Sequence, residues 1–307
     1  MPTLTVVRPG MLTTVQDPGR WGCQDSGVPV AGPMDAYSHR RANRLASNRD
    51  NEATLEVTLI GPELETDGPI TCAVAGADFA VLVEGTAIAT DRAFHVRAGA
   101  RIRFAQRRAG ARAYLAVQGG FAVERVLGSR ATSVISRMGP FGGRALKVGD
   151  RLPVGAVMER TGTAGVPLPL PAGGARVRVI LGPHDWMFTP AALDALTHAR
   201  YIVTPQSNRM GYRLEGTALK HVDRADILSD ATPMGSLQVP ASGQPILLMA
   251  DRQTTGGYPK FGTVISADLP IAGQLAPGDW IEFEPCSRAA AIDALRKREA
   301  QLAGVRA

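Results

Sequence analysis

Glycine and proline constrain this chain more than any other feature, because they interrupt it at short intervals along its whole length. The 307 residues include 34 glycines and 22 prolines, which are spread along the chain rather than clustered. Short apolar segments rich in strand-forming residues lie between them. Turn residues that alternate with such segments indicate a protein built from many short strands.

Six short segments bounded by turn residues are the clearest predicted strands. They are residues 54–60, 79–83, 111–117, 176–181, 245–249 and 280–283. Helices are few: we expect them at residues 35–47, from the N-cap Thr189 to residue 198, and at 287–302. The sequence therefore predicts a mainly β fold.

A stretch dominated by glycine, proline and alanine at residues 161–174 is interpreted as a linker between two halves. Residues 16–22 resemble residues 206–211, and each half ends on a Gly-Asp turn followed by a strand. Two related β-barrels from an internal duplication explain both observations, although chance similarity between turns is the alternative. The predicted limits are 1–160 for the first unit, 161–174 for the linker, 175–286 for the second unit and 287–307 for a C-terminal helix.

Composition argues against several classes of function. The formal net charge is +6, but the basic residues are scattered and only 5% of residues are aromatic, which does not favour binding to nucleic acid. The chain starts without the pattern of an export signal and has no apolar stretch near the ~20 residues that cross a bilayer. We therefore expect a cytoplasmic protein without membrane contact. The three cysteines and five histidines lack metal-ligand spacing, so no metal site is predicted.

The common enzyme motifs are absent from the sequence. It has no phosphate loop, no dinucleotide-binding Gly-x-Gly-x-x-Gly, no His-Glu-x-x-His and no Gly-x-Ser-x-Gly. No lysine lies between two methionines, as a biotinylated lysine does. If biotin takes part, another domain carries it.

The richest polar segment is residues 251–260, directly after the wholly apolar run 246–249. Arg252 and Lys260 offer positive charge to a carboxylate or phosphate, and Asp251 can orient Arg252 or take a proton. Glycines there let the backbone approach a ligand closely. The candidate binding residues in this segment are Gln253, Thr254, Thr255, Gly256, Gly257 and Tyr258. A hydrogen-bonded surface turn is the alternative interpretation.

Two further polar clusters are candidates. Residues 207–216 and 229–235 contain Ser207 as a binding candidate, and also the reactive candidates Arg209, Tyr212 and Asp230. Residues 16–22 and 32–36 contain Arg20 and Asp35, and a helix that begins near Asp35 can present N–H groups to an anion. A structural salt bridge is an equally open interpretation for the charged residues of both clusters.

These segments resemble, in order, the family called allophanate hydrolase subunit 2 or carboxyltransferase subdomain A/B, which includes the C subunit of 5-oxoprolinase. The resemblance covers residues 4–285, and its longest motif is DRQTTGGYP at residues 251–259. Shorter matches are TTVQD at 13–17, GPMD at 32–35, GARAYLAV at 110–117, DILSD at 226–230 and QVP at 238–240.

The resemblance implies two cyclophilin-like β-barrel units and an enzyme that is active only with partner subunits. These partners are an allophanate hydrolase subunit 1-type companion (the B subunit of 5-oxoprolinase) and an A subunit of the lactam-utilisation type. The implied reaction is the ATP-driven opening of 5-oxoproline to L-glutamate. One alternative is a biotin-dependent carboxyltransferase that acts on urea or a related amide, with biotin on a separate carrier. Another is a regulatory protein that antagonises a kinase inhibitor.

In either enzyme reading, negative charge develops on oxygen during the reaction and needs cations or N–H donors nearby. Arg209, Arg252 and Lys260 are the candidate charge stabilisers. The candidate proton-transfer residues are Asp230, Asp251 and Tyr212.

Overall fold

The computed structural model describes residues 1–157 and 163–305, which form two compact units. The first unit comprises Met1–Arg20, Ala31–Leu170 and Glu299–Ala307, and the second comprises Trp21–Val30 and Pro171–Arg298. Residues 158–162, where the first predicted unit ends and the predicted linker begins, lie outside the described residues, as do residues 306–307 of the predicted C-terminal helix. The predicted limits of the units stay predictions.

The first unit is a half-barrel sheet of nine strands. Its strands are β1 (Thr3–Arg8), β2 (Leu12–Gln16), β3 (Thr54–Thr58), β4 (Glu63–Thr66), β5 (Ile70–Val83), β6 (Thr86–Ala87), β7 (Phe94–Val96), β8 (Arg101–Val117) and β9 (Arg151–Pro153). The main path runs β2-β3-β8-β4-β1-β9, and β5 pairs with β6, β7 and β8. One face buries an aliphatic core that includes Leu55, Val57 and Leu115.

The first unit also contains α1 (Ala36–Leu45) and the short turn α2 (Pro140–Gly143). Asp35 is the N-cap of α1, and its carboxylate accepts a hydrogen bond from the backbone N–H of Ser38. The helix ends two residues before the predicted limit, because Ser47 adopts a φ of 59° that leaves the helical conformation.

The second unit is a closed β-barrel. The strands of this unit are β10 (Gly174–Leu181), β11 (Tyr201–Val203), β12 (Gly211–Glu215), β13 (Asp230–Ala231), β14 (Ser236–Gln238), β15 (Ile246–Leu248), β16 (Thr255–Gly256), β17 (Lys260–Val264) and β18 (Trp280–Pro285). The barrel order is β10-β17-β14-β15-β12-β11-β18, and the parallel pair β10–β18 closes it. Strands β13 and β16 form a separate two-stranded sheet.

Three helices follow in the later part of the chain: α3 (Pro190–His198), α4 (Leu269–Ala272) and α5 (Arg288–Leu302). Helix α3 begins as predicted, because the side chain of Thr189 caps it by accepting a hydrogen bond from the N–H of Ala192. None of the helices in the part of the chain that the structure describes is long and apolar enough to span a bilayer.

The mainly β prediction is confirmed, and all six predicted strands coincide with observed ones. Two of them, β5 and β8, are much longer than predicted. Gly76 in β5 and Gly110 in β8 have positive φ angles, and the register between these strands shifts next to Gly76. Glycine here marks a bulge inside a continuous strand rather than its end.

Candidate functional site

The polar segment 251–260 lies in the second unit, follows β15, contains β16 and ends at the first residue of β17. Strand β16 pairs with β13, so that Asp230 lies opposite Gly256 and Ala231 opposite Thr255. The backbone N–H of Thr232 donates to the carbonyl of Thr254 at 3.0 Å. The segment is therefore an ordered loop held against residues 230–232.

Arg209 and Asp251 form a buried ion pair with two parallel hydrogen bonds. The Nε and Nη2 atoms of Arg209 each lie 3.0 Å from an oxygen of Asp251, whose side chain is 1% exposed. The N–H of Asp251 also donates to the carbonyl of Arg209 at 2.8 Å. This double contact fixes the start of the loop to the end of the turn before β12, and it commits both charges to each other.

Lys260 is almost fully enclosed, with 2% of its surface exposed. Its Nζ donates to the carboxylate of Asp230 and, at 2.7 Å, to the carbonyl of Ala231. The hydrogen bond from Lys260 holds the pKa of Asp230 below its usual value. Both charges of this pair are therefore used to hold β13 against the start of β17.

Arg252 keeps positive charge available for a ligand. Its Nε donates to the carbonyl of Thr232 at 2.7 Å. In the described residues its two terminal nitrogens have neither a hydrogen bond nor an ion pair. Burial lowers the pKa of this half-buried guanidinium, and the nearby charge of Asp251 offsets this only in part. A half-buried cation with free donors is suited to bind a carboxylate or phosphate.

Next to this loop, the outer face of the barrel carries a cleft of about 190 Å³. In the strand register Ile246 lies opposite Arg213 on one side and opposite Gln238 on the other. Residues paired directly across strands project to the same face of a sheet, so these three side chains form a row. Gln253 and Tyr258 from the loop complete the lining, and Tyr258 is 45% exposed.

Tyr212 and Ser207, two candidates from the polar cluster at residues 207–216, do not line this cleft. Tyr212 pairs with Leu247, which places it on the opposite, inner face of the barrel, and its hydroxyl lies 3.3 Å from the carbonyl of Leu275. The hydroxyl of Ser207 contacts the backbone, because it accepts a hydrogen bond from the N–H of Arg213 at 3.0 Å. Ser207 therefore supports the strand that carries Arg213.

The remaining loop residues differ in exposure. Thr255 is exposed and Thr254 is half-buried. Gly256 comes close to the cleft: a Cβ added there would lie 2.5 Å from Nε2 of Gln238 and 3.2 Å from Cγ2 of Thr232. At Gly257 an added Cβ would meet nothing closer than 3.4 Å. The close backbone approach expected from glycine therefore occurs at Gly256.

Arg20 and Asp35 belong to the first unit and are buried there. Arg20 donates through Nη2 to the carbonyl of Ala131, and through Nε to that of Val126 at 3.5 Å. Both carboxylate oxygens of Asp35 contact Ser38, through its N–H at 2.8 Å and its hydroxyl at 2.6 Å. Arg20 and Asp35 therefore belong to a different unit from the loop 251–260.

Sequence reasoning missed Gln238 and Arg213, which line the cleft. Gln238 lies in the QVP match to the family and Arg213 in the polar cluster at residues 207–216, but the sequence does not single out either residue. The row that they form exists only through the register of β12, β14 and β15. Among the described residues, no group of three or more histidine, cysteine, aspartate or glutamate side chains is arranged to hold a metal ion.

Comparison with known proteins confirms the family indicated by the sequence. A family model described as "Carboxyltransferase domain, subdomain A and B" matches residues 26–285. The 5-oxoprolinase C subunit of Escherichia coli K12 is 39% identical over 302 residues, which cover 96% of this chain and 95% of that protein. The corresponding C subunit of Haemophilus influenzae is 35% identical, with 95% and 94% covered.

A solved structure agrees with these relatives. The crystal structure of the K. lactis urea amidolyase matches this chain with a TM-score of 0.91 and 29% identity, over 98% of this chain. The match covers 20% of the amidolyase, so this chain spans about a fifth of that much longer protein. The chain therefore belongs to the family of carboxyltransferase domains with subdomains A and B and is homologous to the C subunit of 5-oxoprolinase.

Proposed function

We propose that this chain is the C subunit of an ATP-dependent 5-oxoprolinase, which opens 5-oxoproline to L-glutamate. The observation that carries the proposal is the 39% identity to a 5-oxoprolinase C subunit over nearly the whole length of both proteins. In the reaction, water adds to the lactam carbonyl and the C–N bond breaks. The carbonyl carbon becomes the side-chain carboxylate of glutamate, and the ring nitrogen becomes its amino group.

The proposed enzyme is heteromeric and cytoplasmic. Its other members would be a 5-oxoprolinase B subunit of the allophanate hydrolase subunit 1 type and a lactam-utilisation-type A subunit. The cleft of about 190 Å³ is smaller than the roughly 300–1,000 Å³ of pockets that enclose drug-sized ligands. We propose that ATP binding is shared with the partner subunits.

Reconstitution tests this function. The chain is combined with its A and B companions, and glutamate released from 5-oxoproline is measured with and without ATP. We expect glutamate only when all subunits and ATP are present. Absence of glutamate from the complete mixture, together with carboxylation of urea, contradicts the proposal.

A biotin-dependent carboxyltransferase is the second candidate, and the close match to urea amidolyase favours it. In this reading a separate carrier brings carboxybiotin, and the chain contributes to transfer of the carboxyl group to urea or a related amide. Transfer of labelled carboxylate from carboxybiotin to urea by the chain with its B-type companion measures it directly. The two candidates thus differ in both substrate and product.

Replacing Arg252 with methionine should lower kcat/KM for 5-oxoproline about a hundredfold in the reconstituted enzyme, the usual effect of removing a donor that stabilises developing charge. Arg252→Lys keeps the charge and should retain part of the activity. Arg176→Met is the matched control, because it removes an exposed arginine whose partner is Glu282. Equal activity of Arg252→Met and Arg176→Met would show that Arg252 does not contact the reacting groups.

A further inference from the structure

Gln238 places an unused hydrogen-bond donor in the outer cleft of the second unit. The residue is 1% exposed, and its Nε2 has no hydrogen-bond partner among the residues that the structure describes. A buried donor without a partner destabilises a fold, so native proteins retain few such groups, and each calls for a specific reason. The cleft supplies that reason, because Gln238 lines it.

The amide of Gln238 is held in one orientation. Its Oε1 accepts a hydrogen bond from Nε2 of Gln253 at 3.3 Å, which leaves Nε2 as the free end. Its backbone is paired on both sides, with Ile246 in β15 and Lys260 in β17. Gly256 leaves space for the amide, because a Cβ at that position would lie 2.5 Å from Nε2. The donor is therefore positioned before any ligand arrives.

Arg213 provides a positive charge at the other end of the same row. In the described residues its guanidinium has no ion pair or hydrogen bond, and it lines the cleft. Gln238 and Arg213 flank β15 on its two neighbouring strands, which places their backbones about 10 Å apart. The side chains of Ile246 and Leu248 provide an apolar floor between them.

We propose that this cleft binds a small cyclic amide that carries a carboxylate, such as 5-oxoproline. Nε2 of Gln238 donates to the amide carbonyl oxygen, Arg213 binds the carboxylate, and the ring methylenes pack on Ile246 and Leu248. This inference rests on the function proposed above and names the residues that bind its substrate. A volume of about 190 Å³ suits a ligand of that size.

Three ligands separate the two contacts in calorimetric titrations of the full chain. 5-Oxoproline has both groups, pyrrolidin-2-one lacks the carboxylate, and tetrahydrofuran-2-carboxylate lacks the carbonyl. Gln238→Met should lower the affinity for 5-oxoproline and for pyrrolidin-2-one about tenfold and leave the affinity for tetrahydrofuran-2-carboxylate unchanged. Arg213→Met should lower the affinity for 5-oxoproline and for tetrahydrofuran-2-carboxylate and leave the affinity for pyrrolidin-2-one unchanged.

Gln244→Met is the control, because Gln244 exchanges two hydrogen bonds with the backbone of Gly216 and does not line the cleft. Gly256→Ala is a second variant in case Gln238→Met does not fold. It keeps Gln238 but displaces the end of its side chain, and it should weaken the same two ligands. In the reconstituted enzyme, the KM for 5-oxoproline should be higher for Gln238→Met and for Gly256→Ala than for wild type.

Equal affinities and an equal KM in wild type, Gln238→Met and Gly256→Ala overturn the cleft assignment, even if the complex releases glutamate. A water molecule bound to Gln238 would produce that result. Conversely, the variants can show the expected affinity changes while the wild-type complex releases no glutamate. That outcome supports the cleft assignment and contradicts the proposed function. The two failures are therefore distinguishable.

Discussion

Replacing Asp251 with alanine is expected to lower the free energy of unfolding of the second unit by about 3–5 kcal/mol, the usual cost of removing one partner from a buried ion pair. The variant leaves the guanidinium of Arg209 buried without its carboxylate, and only 5% of that side chain is exposed. Urea unfolding followed by tryptophan fluorescence measures the effect. All three tryptophans, Trp21, Trp186 and Trp280, belong to the second unit.

Two controls separate burial from charge. Asp194→Ala removes a carboxylate from a pair in which both side chains are about three-quarters exposed, and it should cost less than about 1 kcal/mol. The double variant Arg209→Met with Asp251→Leu removes both charges and should recover much of the loss. If Asp251→Ala is as mild as Asp194→Ala, then this ion pair does not hold the loop 251–260 in place.

The stability of the first unit is expected to decrease by about 3 kcal/mol as the pH falls from 7 to 4, as a consequence of His39 alone. Burial lowers the pKa of His39 from its ordinary value of 6.5 to about 4, and the charges of Asp17 and Glu56 offset this only in part. Between those pH values the unfolded chain binds a proton that the folded unit does not. The stabilisation is therefore complete above pH 6.5, decreases as the pH falls from 6.5 to 4, and does not change further below about 4.

The comparison with His39→Asn isolates this contribution from other titrating groups. Asparagine can keep the contact that Nδ1 of His39 makes with the hydroxyl of Thr54 at 2.9 Å, but it does not titrate. Urea unfolding followed by circular dichroism at several pH values should show a smaller decrease for the variant. Parallel pH profiles for wild type and variant would show that His39 has an ordinary pKa.

Local sequence signals identified the strands and the capped helix because their causes lie within a few neighbouring residues. Thr189 followed by Pro190 was sufficient to place the start of α3. Glycine was a weaker guide inside the sheet, since Gly76 and Gly110 bend continuous strands instead of ending them. A single glycine in the sequence does not show whether a strand bulges or ends there, because a bulge depends on the strand that pairs with it.

The partners of the charged candidates were not predictable, because they come from distant parts of the chain. Lys260 contacts Asp230, and Arg209 contacts Asp251 across 42 residues of sequence. These two ion pairs neutralise the charges of Lys260 and Arg209. Arg252 and Arg213, by contrast, keep donors that a ligand can use. Counting charges along the sequence does not distinguish paired side chains from side chains with free donors.

The sequence by itself determined the mainly β architecture, the position of the polar loop after β15 and the family to which the chain belongs. Only the tertiary structure decided which side chains face the outer cleft. Barrel closure sets the register of β12, β14 and β15, and a shift of one residue would turn Gln238 and Arg213 to the opposite face. Register depends on contacts between distant strands, and no short segment contains that information.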